Sequence, residues 1–200
     1  MSVITLLLFF VLAIVNWSAA AQEQKDVEYV AKPATLAALV LFAATGSDPS
    51  LWLIGALVCG LLGDVYLMLP GNFFVAGLAA FLLGHFFYIA DFDAGFVWRV
   101  IWFVVLGAVS MPITSKILAA IKDESLKPGV MVYTAVLTFM AASAIASGSF
   151  CAAVGALLFL GSDTILAWNR FVEPIPKAHF YVMVTYHLGQ FGLALALRGG

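Results

Sequence analysis

The chain has 200 residues, of which 64% are hydrophobic and only 10% charged, with a mean hydropathy of +1.08. A soluble domain carries about 25% charged residues, so this chain cannot cover a water-facing surface and reads as an integral membrane protein. A net charge of −2 without a basic run gives no sign of a nucleic-acid partner, and none is expected.

A spanning helix needs about 20 mostly apolar residues, and the sequence predicts eight, at roughly 2–20, 30–46, 50–69, 73–91, 96–118, 128–146, 149–168 and 178–198. The breaks fall at GSDPS (46–50), PGN (70–72), DFDAG (91–95), KDESLKPG (122–129), SGS (147–149) and EPIPK (173–177), all punctuated by turn formers. The loops are too short for a second domain, so the expectation is all-α: one bundle of eight transmembrane helices over 1–200. The first span ends in SAAAQ (18–22), which resembles a signal-peptidase site, but no Lys or Arg precedes the apolar run. A signal peptide has a basic start, so this span is read as a retained helix. At the second, Lys32-Pro33 fits Pro at the first helical position.

The third span holds Asp64 inside GLLGDVYLML (60–69), and the seventh holds Asp163 inside FLGSDTILAW (159–168). Asp64 stands six residues from Pro70 and Asp163 six from Asn169, which is about 9 Å at 1.5 Å per residue. The two acids are expected at matching depth in one leaflet. Asp64 precedes His85 by 21 residues and Asp163 precedes His187 by 24, a weak echo that suggests two parallel four-helix halves. On the fourth span His85 and Tyr88 share a face, and on the eighth His179, Met183, Tyr186 and Gln190 form one stripe. Such stripes should face the bundle interior, because lipid offers no hydrogen-bond partner. His179, near an interface, is expected to be solvated. Cys59 and Cys151 sit in apolar runs and read as packing residues.

Orientation follows from the basic residues. Lys25, Lys32, Lys116, Lys122, Lys127, Arg170 and Lys177 lie in or near loops 1, 3, 5 and 7, leaving only Arg99 and Arg198 of the nine Lys and Arg for the other side. By the positive-inside rule the odd loops are cytoplasmic, both termini are outside, and the acids lie toward the cytoplasmic leaflet. Trp17, Trp52, Trp98, Trp102 and Trp168 lie near span ends, as interfacial anchors do.

The residues also carry a resemblance. KP at 32–33, GDVYLM at 63–68, FxxGLxAFLLGHxxY from Phe74 to Tyr88, GAxxFxxSDxxLA from Gly155 to Ala167 and TYxxxQ from Thr185 to Gln190 together resemble the YhhN-like lysoplasmalogenase family of membrane proteins. The resemblance covers nearly the whole chain, although a fixed histidine is not expected at His187. It implies hydrolysis of the vinyl ether bond of a lysophospholipid, the lysoplasmalogen. The products would be a fatty aldehyde and glycerophosphoethanolamine or glycerophosphocholine.

That chemistry suits the acids. A vinyl ether is protonated at carbon, and water captures the resulting oxocarbenium-like species. Two carboxylates in a low-dielectric cavity can divide the labour, because burial and mutual repulsion keep one protonated while the other stays ionised. Asp64 and Asp163 are therefore the candidate catalytic pair, with either one as the acid. Lys32 is a candidate for the lipid phosphate, and His85, Tyr88, Asn169, Tyr186 and Gln190 are candidates for binding or orienting. No cofactor and no metal are required. Two other classes remain open at this level. Asp64, His85, Asp163 and His187 could ligate zinc in a metal-dependent lipid amidase or hydrolase, though HxxxH and HxxE spacings are missing. The two acids could also couple protons in a small-molecule transporter, though the Gly and Pro interruptions lie mostly at span ends. The sequence leaves the oligomeric state and the exact lipid unread.

Overall fold

A computed structural model of the chain describes residues 2–71 and 73–198; Asn72 of the PGN break, Met1 and the last two glycines lie outside them. Among the described residues eight α-helices follow one another: α1 (Ser2–Ala21), α2 (Lys25–Ala44), α3 (Leu51–Met68), α4 (Phe74–Asp91), α5 (Phe96–Ala120), α6 (Lys127–Ala146), α7 (Phe150–Phe171) and α8 (Ala178–Leu197), with one 3₁₀ turn at Glu124–Leu126. All eight are long and apolar enough to cross a membrane. The protein is an all-helical, multi-pass integral membrane protein.

The helix ends follow local chemistry. Ser50 Oγ accepts from Leu53 N–H at the start of α3 and Ser149 Oγ accepts from Ala152 N–H at the start of α7, satisfying donors that the helix leaves free. Gly148 in the SGS break has φ +74, a left-handed conformation that glycine adopts without a Cβ penalty.

Two boundaries differ from the sequence expectation by three residues or more. α2 begins at Lys25 rather than near residue 30, so Pro33 lies inside the helix and not at its first position. Hydropathy alone trims the charged first turn, yet Asp26 and Glu28 there favour the positive end of the helix dipole. α7 runs on to Phe171, with Arg170 in its last turn, where a cation is favoured for the same reason.

The helices close a ring in the order α2, α3, α4, α6, α7, α8 and back to α2. α1 packs outside it against α2 and α8, and α5 packs outside against α6 and α7. Ile117 is the buried residue of α5, and the helix's many exposed apolar side chains, among them Val97, Val104, Val109 and Met111, suit a lipid-facing position. The α7–α8 seam is tight because it is built from glycine. A Cβ on Gly155 would lie 2.7 Å from Leu193 N, and one on Gly189 would lie 2.9 Å from Gly155 O. Small residues let membrane helices approach closely where no hydrophobic effect drives them together.

Candidate active site

A cavity of about 820 Å³ lies between the ring helices and α5, whose Ser110, Thr114 and Ile117 line it, within the roughly 300–1,000 Å³ of small-ligand sites. Asp64 and Asp163 both line it, together with Lys32, Tyr133 and Tyr186. The cavity reaches exposed residues in loops 1 and 7, at the start of α2 and at the end of α7, among them Glu23, Lys25, Arg170 and Lys177. Its open end is therefore the odd-loop end of the bundle.

Each acid has a different partner. Lys32 on α2 places Nζ 3.0 Å from Asp64 Oδ1, with both side chains almost wholly buried. Tyr186 on α8 donates its hydroxyl to Asp64 Oδ2 at 2.9 Å. The Tyr186 oxygen accepts in turn from Gln190 Nε2 at 3.3 Å, and the Gln190 carbonyl accepts from the Tyr88 hydroxyl. Gly60 makes room for this chain, since a Cβ there would lie 2.8 Å from Gln190 Nε2. Four helices thus hold one carboxylate, through a cation and a phenol whose orientation is fixed from behind.

Asp163 is held by a phenol instead of a cation. The Tyr133 hydroxyl of α6 donates to Asp163 Oδ2, and His85 Nε2 of α4 lies 3.2 Å from the same hydroxyl oxygen. Because that hydroxyl's single proton goes to Asp163, the imidazole donates from Nε2. An aromatic wall separates the two networks. Phe81 and Phe159 meet the Tyr186 ring edge-on at 5.8 and 5.3 Å, and Phe159 also meets the His85 ring at 5.0 Å.

The residues singled out in the sequence divide into two groups. Asp64, Asp163, Lys32, Tyr186 and Asn169 line the cavity, whereas the cavity wall does not include His85, Tyr88 or Gln190. These three are buried one layer back and connect to the acids through Tyr133, Tyr186 and Gln190. Asn169 spends its Oδ1 on the backbone N–H of Ile175 at 2.8 Å, which folds the α7–α8 loop. His179 is not simply solvated: its Nε2 pairs with Glu28, although half of the side chain stays exposed. His187 accepts from Trp17 Nε1 at 3.1 Å and belongs to the α1–α8 contact. Among the described residues no three His, Cys, Asp or Glu side chains come together as a metal site.

Sequence reasoning missed Tyr133. The available signal was its position, six residues inside α6 and away from the interface where membrane tyrosines usually sit.

The profile of the YhhN family matches residues 27–197 of the chain. Similar curated proteins include human lysoplasmalogenase TMEM86B, 37% identical over 145 residues that make up 72% of this chain and 62% of that protein. Mouse lysoplasmalogenase TMEM86B is 35% identical over 84% of this chain and 73% of its own length, and human lysoplasmalogenase TMEM86A is 29% identical over 70% of this chain and 62% of its own. The chain thus spans somewhat under two thirds to about three quarters of these relatives. No solved structure matches it. With 171 of 200 residues inside the family match (27 to 197, counted inclusively), the chain belongs to the YhhN family.

Proposed function

We propose that the protein hydrolyses the vinyl ether bond of lysoplasmalogens, releasing a fatty aldehyde and glycerophosphoethanolamine or glycerophosphocholine. The observation that carries this reading is the unlike partnering of two carboxylates on one membrane-embedded cavity: a lysine for Asp64, a phenol for Asp163. The activity for which the relatives are named supports the substrate class.

In this reading Asp64 is the ionised member, because the Lys32 ammonium compensates its charge. Asp163 carries the proton on Oδ1 while Oδ2 accepts from Tyr133. Asp163 delivers that proton to the vinyl carbon remote from oxygen, and positive charge develops on the ether carbon. Asp64 takes a proton from water as the water oxygen bonds to that carbon. The resulting hemiacetal collapses: Asp64 returns its proton to the departing glycerol oxygen, and the hemiacetal hydroxyl returns one to Asp163. One water is consumed and both acids are reset. The Tyr133 hydrogen bond strengthens as Asp163 becomes an anion, which is stabilisation felt mainly in the transition state.

The cavity's open end at the odd loops, with the charge bias of those loops, supports a cytoplasmic-leaflet site and termini outside the cytoplasm. The test is isotopic. In D₂O, purified protein acting on a 1-alkenyl lysolipid should yield aldehyde with one deuterium on the carbon next to the carbonyl, trapped at once by reduction. The 1-alkyl ether analogue should yield no aldehyde. Release without deuterium, or no release from the alkenyl lipid, overturns the reading.

A further inference from the structure

The open end of the cavity carries charges that the reaction does not use. On α2, Lys25, Glu28 and Lys32 follow at i, i+3 and i+7 and all line the cavity, so one helix face leads from the entrance down to Asp64. On α7, Asp163 and Arg170 are also seven apart and both line it. Two helical turns separate them, about 10 Å. In an extended 1-alkenyl lysolipid seven bonds separate the protonated vinyl carbon from phosphorus, about 8 Å at roughly 1.2 Å per bond. A vinyl carbon at Asp163 therefore brings the phosphate to the level of Arg170.

Arg170 is prepared for such a ligand. Its guanidinium sits 3.9 Å over the Phe74 ring and 5.7 Å from that of Phe171, contacts that hold the cation in place without using its N–H donors. Among the described residues only two non-glycine residues have positive φ, Glu23 at +58 and Lys177 at +57. Both line this same entrance, in a backbone conformation that residues with a Cβ rarely adopt. Glu28 is only 9% exposed, yet it lines the cavity and shares its carboxylate with His179. A carboxylate this buried at a cation-rich entrance has the chemistry to receive an ammonium group.

Resting on the reaction proposed above, we infer that this entrance is a zwitterion site that reads the lipid headgroup, with Arg170 and Lys177 taking the phosphate and Glu28 the ammonium. A primary ammonium donates hydrogen bonds to Glu28 that a trimethylammonium lacks, so phosphoethanolamine is favoured over phosphocholine.

Binding of 1-alkyl lysolipids, which lack the vinyl ether, tests the site apart from the reaction. Four heads are compared: phosphoethanolamine, phosphocholine, phosphoglycerol and none. Arg170→Met should weaken all three phosphate-bearing lipids about tenfold and leave the alkylglycerol unchanged, as loss of a charge-assisted hydrogen bond would. Glu28→Gln should weaken phosphoethanolamine about tenfold and spare phosphoglycerol. His179→Gln, which removes only the partner of Glu28, should hold phosphoethanolamine at least as tightly as the parent protein. Equal losses across all four heads, or no loss with any, overturn the inference. A parent protein that releases no aldehyde refutes the reaction instead, while the same binding pattern still decides for or against the headgroup site.

Discussion

Tyr133→Phe removes one oxygen from the centre of the His85–Tyr133–Asp163 chain and leaves the ring in place. In the parent protein that oxygen donates to Asp163 Oδ2 and receives His85 Nε2 at 3.2 Å. A hydrogen bond to a charged group is worth about 1.5–3 kcal/mol, and this one is fully charged only once Asp163 has given up its proton. At about 1.4 kcal/mol per factor of ten, kcat should fall roughly 10- to 150-fold while KM stays within about twofold. Stability should fall as well. The His85 N–H loses its partner on a ring whose Nδ1 already lacks one among the described residues, and an unsatisfied buried donor costs about 1–3 kcal/mol. The assay is aldehyde release from a 1-alkenyl lysolipid, with a thermal melt of the detergent-solubilised protein alongside. An unchanged kcat, or a loss confined to KM, refutes the role given to Tyr133.

Lys32→Met should act on kcat rather than KM, because the lysine is committed to Asp64. Its turnover should fall toward that of Asp64→Asn, and steady-state kinetics of the double variant should show little further loss, as for residues that act as a unit. Gly189→Ala forces a Cβ to within 2.9 Å of backbone atoms of Gly155 and Phe159, so its melt should show destabilisation of about 1–3 kcal/mol from overpacking. For topology, a reporter fused after residue 200 should be active outside the cytoplasm and one inserted at 122–127 inside. The opposite pattern would reverse the leaflet assigned to the cavity.

What the sequence made legible was what bilayer physics punishes most. Eight apolar stretches cannot hide, and an aspartate inside one must have a partner or a task, so Asp64 and Asp163 stood out at once. The inward stripe of Tyr186 and Gln190 was readable from helical period alone. Partnerships were not, because they depend on which helices become neighbours. Lys32 was readable as a cavity candidate, but its pairing with Asp64 at 3.0 Å depends on α2 and α3 lying side by side. Tyr133 was missed because Gly129, Val130, Val136 and Leu137 on its own helix face are apolar, whereas Tyr88 and Tyr186 share faces with His85 and Gln190; α4, α6 and α7 had to meet before its hydroxyl lay between His85 and Asp163. The start of α2 was misjudged because hydropathy discounts Asp26 and Glu28, which help the helix to begin.

The carboxylate pair itself is tested most directly by turnover of a 1-alkenyl lysolipid by Asp64→Asn and Asp163→Asn, each checked for a monodisperse, cooperatively melting protein. The amide keeps the shape of each site but can neither carry the reactive proton nor accept one from water. General acid and base roles are worth roughly 10²–10⁴-fold each, so both variants should lose at least two orders of magnitude in kcat, with the double variant little worse than the weaker single. Near-parent turnover by either well-folded variant would contradict catalysis by the pair.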